Sequence, residues 1–375
     1  MKVEFYRHSL GEDEIREVTD TLRSLFLTTA GKTARFEAAF AEFLGVPHAV
    51  GVTSCTAALH LSLVALGIGP GDEVIVPAMT FIATINPVWW VGATPVLADV
   101  DPVTGLLDPS EVEARITPRT RAVIPVHLYG AMADMRRLRA LADRHGFALI
   151  EDSAHCVEGE RDGVRPGQLG DIACFSFYAT KNLTCGEGGA VATTRADLAD
   201  RVRTLRLHGM SKGAADRYHA RTYVHWDMVA LGYKYNLSDI QAALLLPQLP
   251  KLRTNLERRE AICGRYEQAF GAMPAVDFPR VPAGCRSARH LFTIWVPEPR
   301  RDALLQYLGE HGIGCAVNYR AVHTLTYFRE RLRHPPDAFP NALSIGRRTV
   351  TLPLYPGLRD DEVEAVIETV REGLG

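Results

Sequence analysis

The sequence predicts an α/β protein, with a large domain on a mostly parallel sheet sandwiched by helices and a smaller C-terminal α+β domain. Three observations predict it. Between about residues 30 and 195, strand-like runs alternate with helix-like stretches. The strand-like runs are near-continuous apolar stretches, which is how strands covered on both faces read. From about Ser238 the alternation gives way to long helical stretches and scattered strands. The expected domains are residues 1–245 and 246–375. A chain of 375 residues, 47% of them hydrophobic, is long enough to bury two cores.

The elements follow in order. Ala34 to Leu44 has a helical apolar period and is stopped by Gly45. His48-Ala-Val-Gly-Val is a short buried strand. Cys55 to Leu66 is helical and ends at Gly67. Glu73-Val-Ile-Val-Pro is a strand, followed by a helix from about Ile82 to Val91. Pro95-Val-Leu-Ala-Asp, Ala122-Val-Ile-Pro-Val and Ala148-Leu-Ile-Glu-Asp are further strands, with a helix from Asp134 to His145 between the last two. Asp239 to Phe270 is a long helical stretch, broken or kinked at Pro247 and Pro250. Beyond it come a strand (His290 to Val296), a helix (Asp302 to His311), a strand near Gly314 to Asn318, and a last helix from Asp360 to Leu374. In a sheet of this kind ligands sit off the carboxyl ends of the strands. Asp99, Asp152 and His127 lie at or near such ends.

Composition narrows the function classes. Charged residues are 23% of the chain and the formal net charge is −2. No basic excess points to nucleic acid, and no polybasic run to an anionic membrane. The first residues lack the apolar core of a signal peptide, and no apolar run is long enough to span a bilayer. A cytoplasmic protein is expected. Seven cysteines, an odd number with no C-x-x-C spacing, argue against a disulfide framework or a zinc site. The 13 histidines form no metal-binding motif, so no metal is expected.

The most informative stretch runs from Phe175 to Val191. A strand delivers Ser176, a short loop presents Lys181, and the chain turns through Gly186, Gly188 and Gly189 into another strand. An isolated loop lysine is usually a solvated charge. Lys181 is flanked on both sides by apolar and glycine-rich segments, and a lysine held there is paired or chemically used. Forming an imine with an aldehyde removes the cost of burying an ammonium group. Pyridoxal chemistry needs four supports, and each has a candidate. Asp152, at the end of a buried strand, can keep a pyridine nitrogen protonated. Cys55 and Thr56, where a strand passes into a helix, can present amides and a hydroxyl to a phosphate, and Ser176 can add a hydroxyl. Phe81 can cover the ring. His155, one helical turn past Asp152, can reach the ring or its phenolic oxygen. Singly, Asp152 and Thr56 also read as helix caps and Phe81 as core. Their joint occurrence carries the reading.

Several segments together resemble the DegT/DnrJ/EryC1/StrS sugar aminotransferases, a family of fold-type-I pyridoxal 5′-phosphate (PLP) enzymes acting on nucleotide-activated keto-sugars. They are Gly71-Asp-Glu-Val-Ile-Val-Pro, Gly92-Ala-Thr-Pro-Val, Ile150-Glu-Asp-Ser-Ala-His, Phe175-Ser-Phe through Gly189, and Gly232-Tyr-Lys-Tyr-Asn-Leu-Ser-Asp-Ile-Gln-Ala-Ala. The likeness runs from Leu27-Thr-Thr-Ala-Gly to Leu352-Pro-Leu-Tyr-Pro. It implies that Lys181 carries the cofactor as a Schiff base, that Asp152 partners the pyridinium, and that Ser176, Cys55 and Thr56 hold the phosphate. It also implies that Phe81 covers the ring and that His155 lies beside it. Asn236 matches a position that reaches the phosphate from a partner subunit, implying a homodimer with shared sites. Tyr319 and His323 fall in a substrate-facing segment. The resemblance further implies L-glutamate as donor and a cofactor cycling through pyridoxamine 5′-phosphate (PMP).

Within the family, Gly232-Tyr-Lys-Tyr-Asn-Leu and Tyr319-Arg-Ala-Val-His-Thr are most similar to members that aminate C4 of the sugar. Members that aminate C3 carry a Pro-Gly-Lys-Asn-Leu-Gly type of loop. Here it reads Ala179-Thr-Lys-Asn-Leu-Thr, and Thr184 brings bulk and a hydroxyl near Lys181. A turn-capping Thr184 is the simpler reading. Cys55 stands where Gly or Ala is common, and Glu158 where glycine is expected, which is expected to alter the sugar pocket. Related dehydratases lack the lysine. A non-catalytic amino-sugar sensor that keeps the cofactor site is the reading outside enzymology.

Overall fold

The computed structural model describes residues 1–211 and 225–375. Its centre is a seven-stranded sheet in the order β1-β8-β7-β5-β4-β2-β3. The strands are β1 (His48–Val52), β2 (Glu73–Pro77), β3 (Thr94–Ala98), β4 (Thr120–Val123), β5 (Ala148–Asp152), β7 (Ile172–Ser176) and β8 (Gly189–Thr193). The two-residue strand β6 (Glu160–Arg161) pairs separately with β9 (Cys285–Arg286). From β7 across to β3 every pairing is parallel; β8 alone runs antiparallel, to β7 on one side and β1 on the other. The mostly parallel, helix-covered sheet expected from the apolar runs is present. β2 and β7 are buried at every residue, because helices cover both faces.

Helices Gly31–Leu44 and Cys55–Ala65 pack on the sheet, and the first ends at Gly45 in the left-handed region (φ 70°), as its sequence predicts. Asp134 caps the helix Met135–His145. The long helical stretch is broken at both prolines: Asp239–Leu245, a 3-10 segment Leu246–Lys251, then Leu252–Gly271. A second apolar cluster forms from Ile262, Tyr266, Phe270, Val363 and Leu374 around the pair β10 (Phe292–Trp295) and β11 (Thr349–Leu352), and it takes in Val3.

Three local expectations are corrected. The helix expected from Ile82 to Val91 is a 3-10 turn, Ile82–Thr84, and a separate short helix, Asn86–Trp90. Pro87 has no N–H for a continuous ladder, so the helix restarts with proline in its first turn. No strand forms at residues 314–318. Ile313 bridges Val3 and Ala316 bridges Thr351, each at one position, because this segment passes between two different neighbours. His155 sits in a tight turn, not a helix. None of the described helices is long and apolar enough to cross a membrane.

Candidate active site

A pocket of about 480 Å³ opens at the carboxyl ends of β5 and β7. Cys55, Thr56, Phe81, Asp152, His155, Ser176, Lys181 and Tyr319 all line it. Its size lies within the range of about 300–1,000 Å³ usual for small-ligand sites.

One wall is a helix start. β1 ends at Val52, and Ser54 caps the helix Cys55–Ala65 by accepting from the Ala57 amide at 3.1 Å. The Ala58 amide is bonded to the Ser54 carbonyl. The amides of Cys55 and Thr56 have no acceptor among the described residues and stand at the positive end of the helix dipole. Ser176, at the end of β7, brings a hydroxyl to the same pocket. Gly189 opens β8 directly beneath this turn; a Cβ there would lie 2.7 Å from the Cys55 amide nitrogen, so only glycine fits.

The lysine loop leaves β7 through a turn closed by the Lys181 amide on the Tyr178 carbonyl, 2.9 Å. The loop is tied down from behind. Gln248 donates to the Thr184 carbonyl at 2.7 Å and accepts from the Thr184 amide at 3.2 Å. The Thr184 hydroxyl donates to the Phe177 carbonyl and accepts from the Gly186 amide. Thr184 thus shapes the loop with its hydroxyl and does not line the main pocket. Burial disfavours the charged amine of Lys181 and lowers its pKa from 10.5 to about 8.

Asp152 closes the floor. Its Oδ2 accepts from the Thr84 hydroxyl at 2.7 Å, and its Oδ1 from the Ala154 amide at 3.2 Å. The Cys55 thiol leans on Oδ1 at 3.8 Å. Burial pushes the carboxyl up, and the Thr84 hydrogen bond works against that. A carboxylate so enclosed favours a cationic N–H as partner.

His155 is held from two sides. Its Nδ1 accepts from the Tyr129 amide at 3.2 Å, so in the neutral ring the proton is on Nε2, which faces the Tyr319 hydroxyl at 3.1 Å. Burial, aided by the Lys181 charge, holds His155 well below the usual histidine range, so the ring is neutral. With Nε2 donating, the Tyr319 hydroxyl is free to donate into the pocket. Tyr129 fixes this arrangement, because its own hydroxyl donates to the Asn318 carbonyl at 2.5 Å. Phe81, half-exposed, leans toward Tyr319 with ring centroids 5.5 Å apart.

Some expected residues lie elsewhere. Asn236 is outside the pocket and donates to the Thr29 hydroxyl at 2.7 Å. His323 lines a different cavity. Of the strand-end residues, Asp99 accepts from the amides of Asn341 and Ala342 at the start of the helix Pro340–Arg348. His127 is bonded to Glu151, a buried carboxylate also held by the Gly167 and Gly170 amides. Both serve the fold.

Other residues have no sequence signal of their own. Thr84 and Tyr129 orient Asp152 and His155. Beside Lys181, Asn182 donates to Glu158 at 3.0 Å and to the Ala288 carbonyl at 2.9 Å, and its oxygen faces His290 Nδ1 at 3.1 Å. Glu158 in turn pairs with the buried Arg259 at 2.5 Å. Glu158, where glycine was expected, therefore steadies the lysine loop from behind and does not line the main pocket.

These residues fit PLP: a buried amine for its aldehyde, a buried carboxylate for its ring nitrogen, and unpaired amides with two hydroxyls for its phosphate. A kinetic expectation follows from the Lys181 value of about 8. Only the neutral amine attacks an aldehyde, so capture of PLP by cofactor-free protein should accelerate from pH 7 to 9 and then level. A rate still climbing steeply at pH 10 would mean an ordinary solvated lysine.

The sequence profile of the DegT/DnrJ/EryC1/StrS aminotransferase family matches residues 8–371. The spore coat polysaccharide biosynthesis protein SpsC of Bacillus subtilis (strain 168) is 45% identical over 368 residues, 97% of this chain and 95% of that protein. The putative sugar aminotransferase Spr1654 of Streptococcus pneumoniae, in its PMP-form, is 33% identical with a TM-score of 0.94 over 99% of each chain. Its PLP-form gives 32% and 0.91, over 100% of this chain and 98% of that one. PseC of Helicobacter pylori, an aminotransferase involved in the biosynthesis of pseudoaminic acid, gives 26% and 0.92, over 100% and 99%.

Proposed function

The chain belongs to the DegT/DnrJ/EryC1/StrS aminotransferase family, and on that premise we propose that it moves an amino group from L-glutamate to C4 of a nucleotide-linked keto-sugar. It is a sugar aminotransferase, and its cofactor is PLP cycling through PMP. The observation that carries the reading is the buried Lys181 amine in one pocket with Asp152 and the free helix-start amides. A sensor that keeps the cofactor would not lose the bound cofactor's absorbance band on addition of glutamate, whereas a transaminase would.

Bound PLP supplies the electron sink and stores the amino group between the two half-reactions. The protein does the rest. Cys55, Thr56 and Ser176 fix the phosphate end. Asp152, oriented by Thr84, holds a proton at the ring nitrogen. Lys181 Nζ takes the proton from the α-carbon of glutamate and later gives one to the sugar carbon being aminated. Its lowered pKa leaves a useful fraction neutral near physiological pH. Tyr319, held by His155, donates a hydrogen bond into the pocket, and Phe81 covers it from the solvent side.

The C4 assignment is supported by the loop sequence around Lys181 and by the segment from Tyr319. Given 4-keto and 3-keto forms of one nucleotide sugar, the PMP enzyme should aminate the 4-keto form, as read by NMR of the product. Efficient conversion of the 3-keto sugar alone, across several nucleotides, would overturn it.

Asn236 supports a homodimer with shared sites, since it is absent from its own chain's pocket although its family position serves the phosphate. Asn236→Ala is expected to weaken PLP binding about tenfold, the scale of a hydrogen bond to a charged group. Mixing that variant with Lys181→Ala subunits should then raise activity above either parent at limiting PLP, because a hybrid dimer contains one intact site. Hybrids with no gain over either parent would place Asn236 in its own subunit's service only.

A further inference from the structure

A second cavity, of about 450 Å³, lies on the other side of the chain segment that carries Tyr319. Tyr319 faces the candidate active site, whereas Arg320, His323 and Thr324 line this second space. Its lining includes four arginines, Arg301, Arg320, Arg329 and Arg347, and two histidines, His323 and His334, with no aspartate or glutamate. Arg301 and Arg347 reach Asp302 and Glu298, carboxylates that are themselves largely in water. Arg320 and Arg329 have no carboxylate partner among the described residues. Guanidinium groups gathered round a concave surface concentrate positive potential there, and they repel one another unless an anion sits among them.

His323 adds an independent observation. It is only 3% exposed. Its Nε2 faces the Pro336 carbonyl at 3.0 Å, and a carbonyl only accepts, so Nε2 carries the proton. Nδ1 is then a bare acceptor, and it is buried with no partner. A buried polar atom without a partner costs about 1–3 kcal/mol and marks a place where something is missing. The guanidinium groups call for anionic oxygens.

We propose that this cavity is a binding site for a phosphorylated sugar or nucleoside, with Arg320, Arg329 and Arg347 holding the phosphate oxygens. Guanidinium forks match phosphate oxygens two at a time, which favours phosphate over a simple halide. The same chemistry has two sources. One is the diphosphate of a nucleotide-linked substrate that extends past Tyr319. The other is a separate phosphorylated molecule that acts on the Tyr319 segment from behind. The cavity stands on its own lining and does not rest on the nucleotide-sugar reading.

The test uses the PLP-loaded enzyme, isothermal titration calorimetry, and UDP, dTDP and inorganic pyrophosphate as probes, with uridine as the uncharged control. At least one phosphate probe should bind saturably, and uridine should not. Arg329→Gln combined with Arg347→Gln, both exposed positions, should weaken that binding at least tenfold. The glutamate half-reaction, read by cofactor absorbance, should stay at the wild-type rate and show that fold and active site are intact. Failure of all three phosphate probes to saturate at millimolar concentration, or equal binding by the double variant, overturns the proposal. A substrate source predicts a raised KM for the nucleotide sugar in the double variant, unchanged kcat, and competition by UDP. A separate ligand predicts an effect of UDP on rate that excess sugar does not relieve. Phosphate binding with no turnover of any nucleotide keto-sugar keeps the cavity and removes only the proposed substrate class.

Discussion

Lys181→Met is expected to lower turnover by at least about 10⁴-fold, the upper end of what one positioned acid–base group contributes. It would remove both the group proposed to hold the cofactor covalently and the proposed proton carrier. Borohydride treatment of the wild type should fix the cofactor to Lys181, and peptide mapping that found it on another lysine would sink the assignment. The same variant has a second, opposite expectation. A depression from 10.5 to about 8 corresponds to a cost of about 3 kcal/mol for the charged amine in the cofactor-free fold. The folded value lies below the unfolded one, so between about pH 8 and 10.5 the unfolded chain holds more protons. The cost is complete below that window and disappears above it. Cofactor-free Lys181→Met should therefore melt higher than cofactor-free wild type at pH 7, with the gap closing by pH 10.5. Methionine keeps the volume, so packing does not confound the comparison. A variant that melts lower at pH 7 would mean that the amine is not buried as described.

Asp152→Ala should slow both half-reactions by several powers of ten, each worth about 1.4 kcal/mol of barrier. Asp152→Glu should retain far more activity, because a carboxylate remains near the ring nitrogen. Alanine also leaves the Thr84 hydroxyl and the Ala154 amide without their acceptor, so stability is expected to fall in parallel. Stopped-flow absorbance on folded, cofactor-loaded protein separates the two effects. Near-normal half-reaction rates in Asp152→Ala would reduce Asp152 to a structural role.

Much of this site was legible in the sequence because a parallel sheet delivers its loops to one edge in chain order. Each strand that reads as a buried apolar run brings the residue after it to the same rim, so Cys55, Asp152, Ser176 and Lys181 meet without any knowledge of side-chain packing. What was not legible joins residues far apart in the chain. Thr84 reaches Asp152 through a turn that replaced an expected helix, and the mostly apolar run of residues 82–91 does not itself show that the turn and the helix are separate. The partners of His155 come from Tyr129 and Tyr319, and those of Asn182 from Glu158, Ala288 and His290. No local period encodes such meetings. His323 lies four residues past Tyr319, yet the chain bends through a 3-10 turn at Val322–Thr324 and carries it into a different cavity from Tyr319. The segment 314–318 resembles a strand in composition but pairs at a single position, Ala316 antiparallel to Thr351.

The reversal of β8 has a consequence for how the protein comes into being. Val52 and Ser176 both find their partner at Gly189, so the helix-start turn and the lysine loop leave the sheet from the same row across three strands. On a ribosome the chain emerges from its N-terminus, and β1 waits unpaired while β2 to β7 are made. Until β8 slides between β1 and β7, the helix-start amides and the Lys181 amine belong to separate pieces. If these groups hold the two ends of the vitamin-derived coenzyme as proposed, a chain at that stage could not grip both. Coenzyme capture is therefore expected to follow the insertion of β8 between β1 and β7.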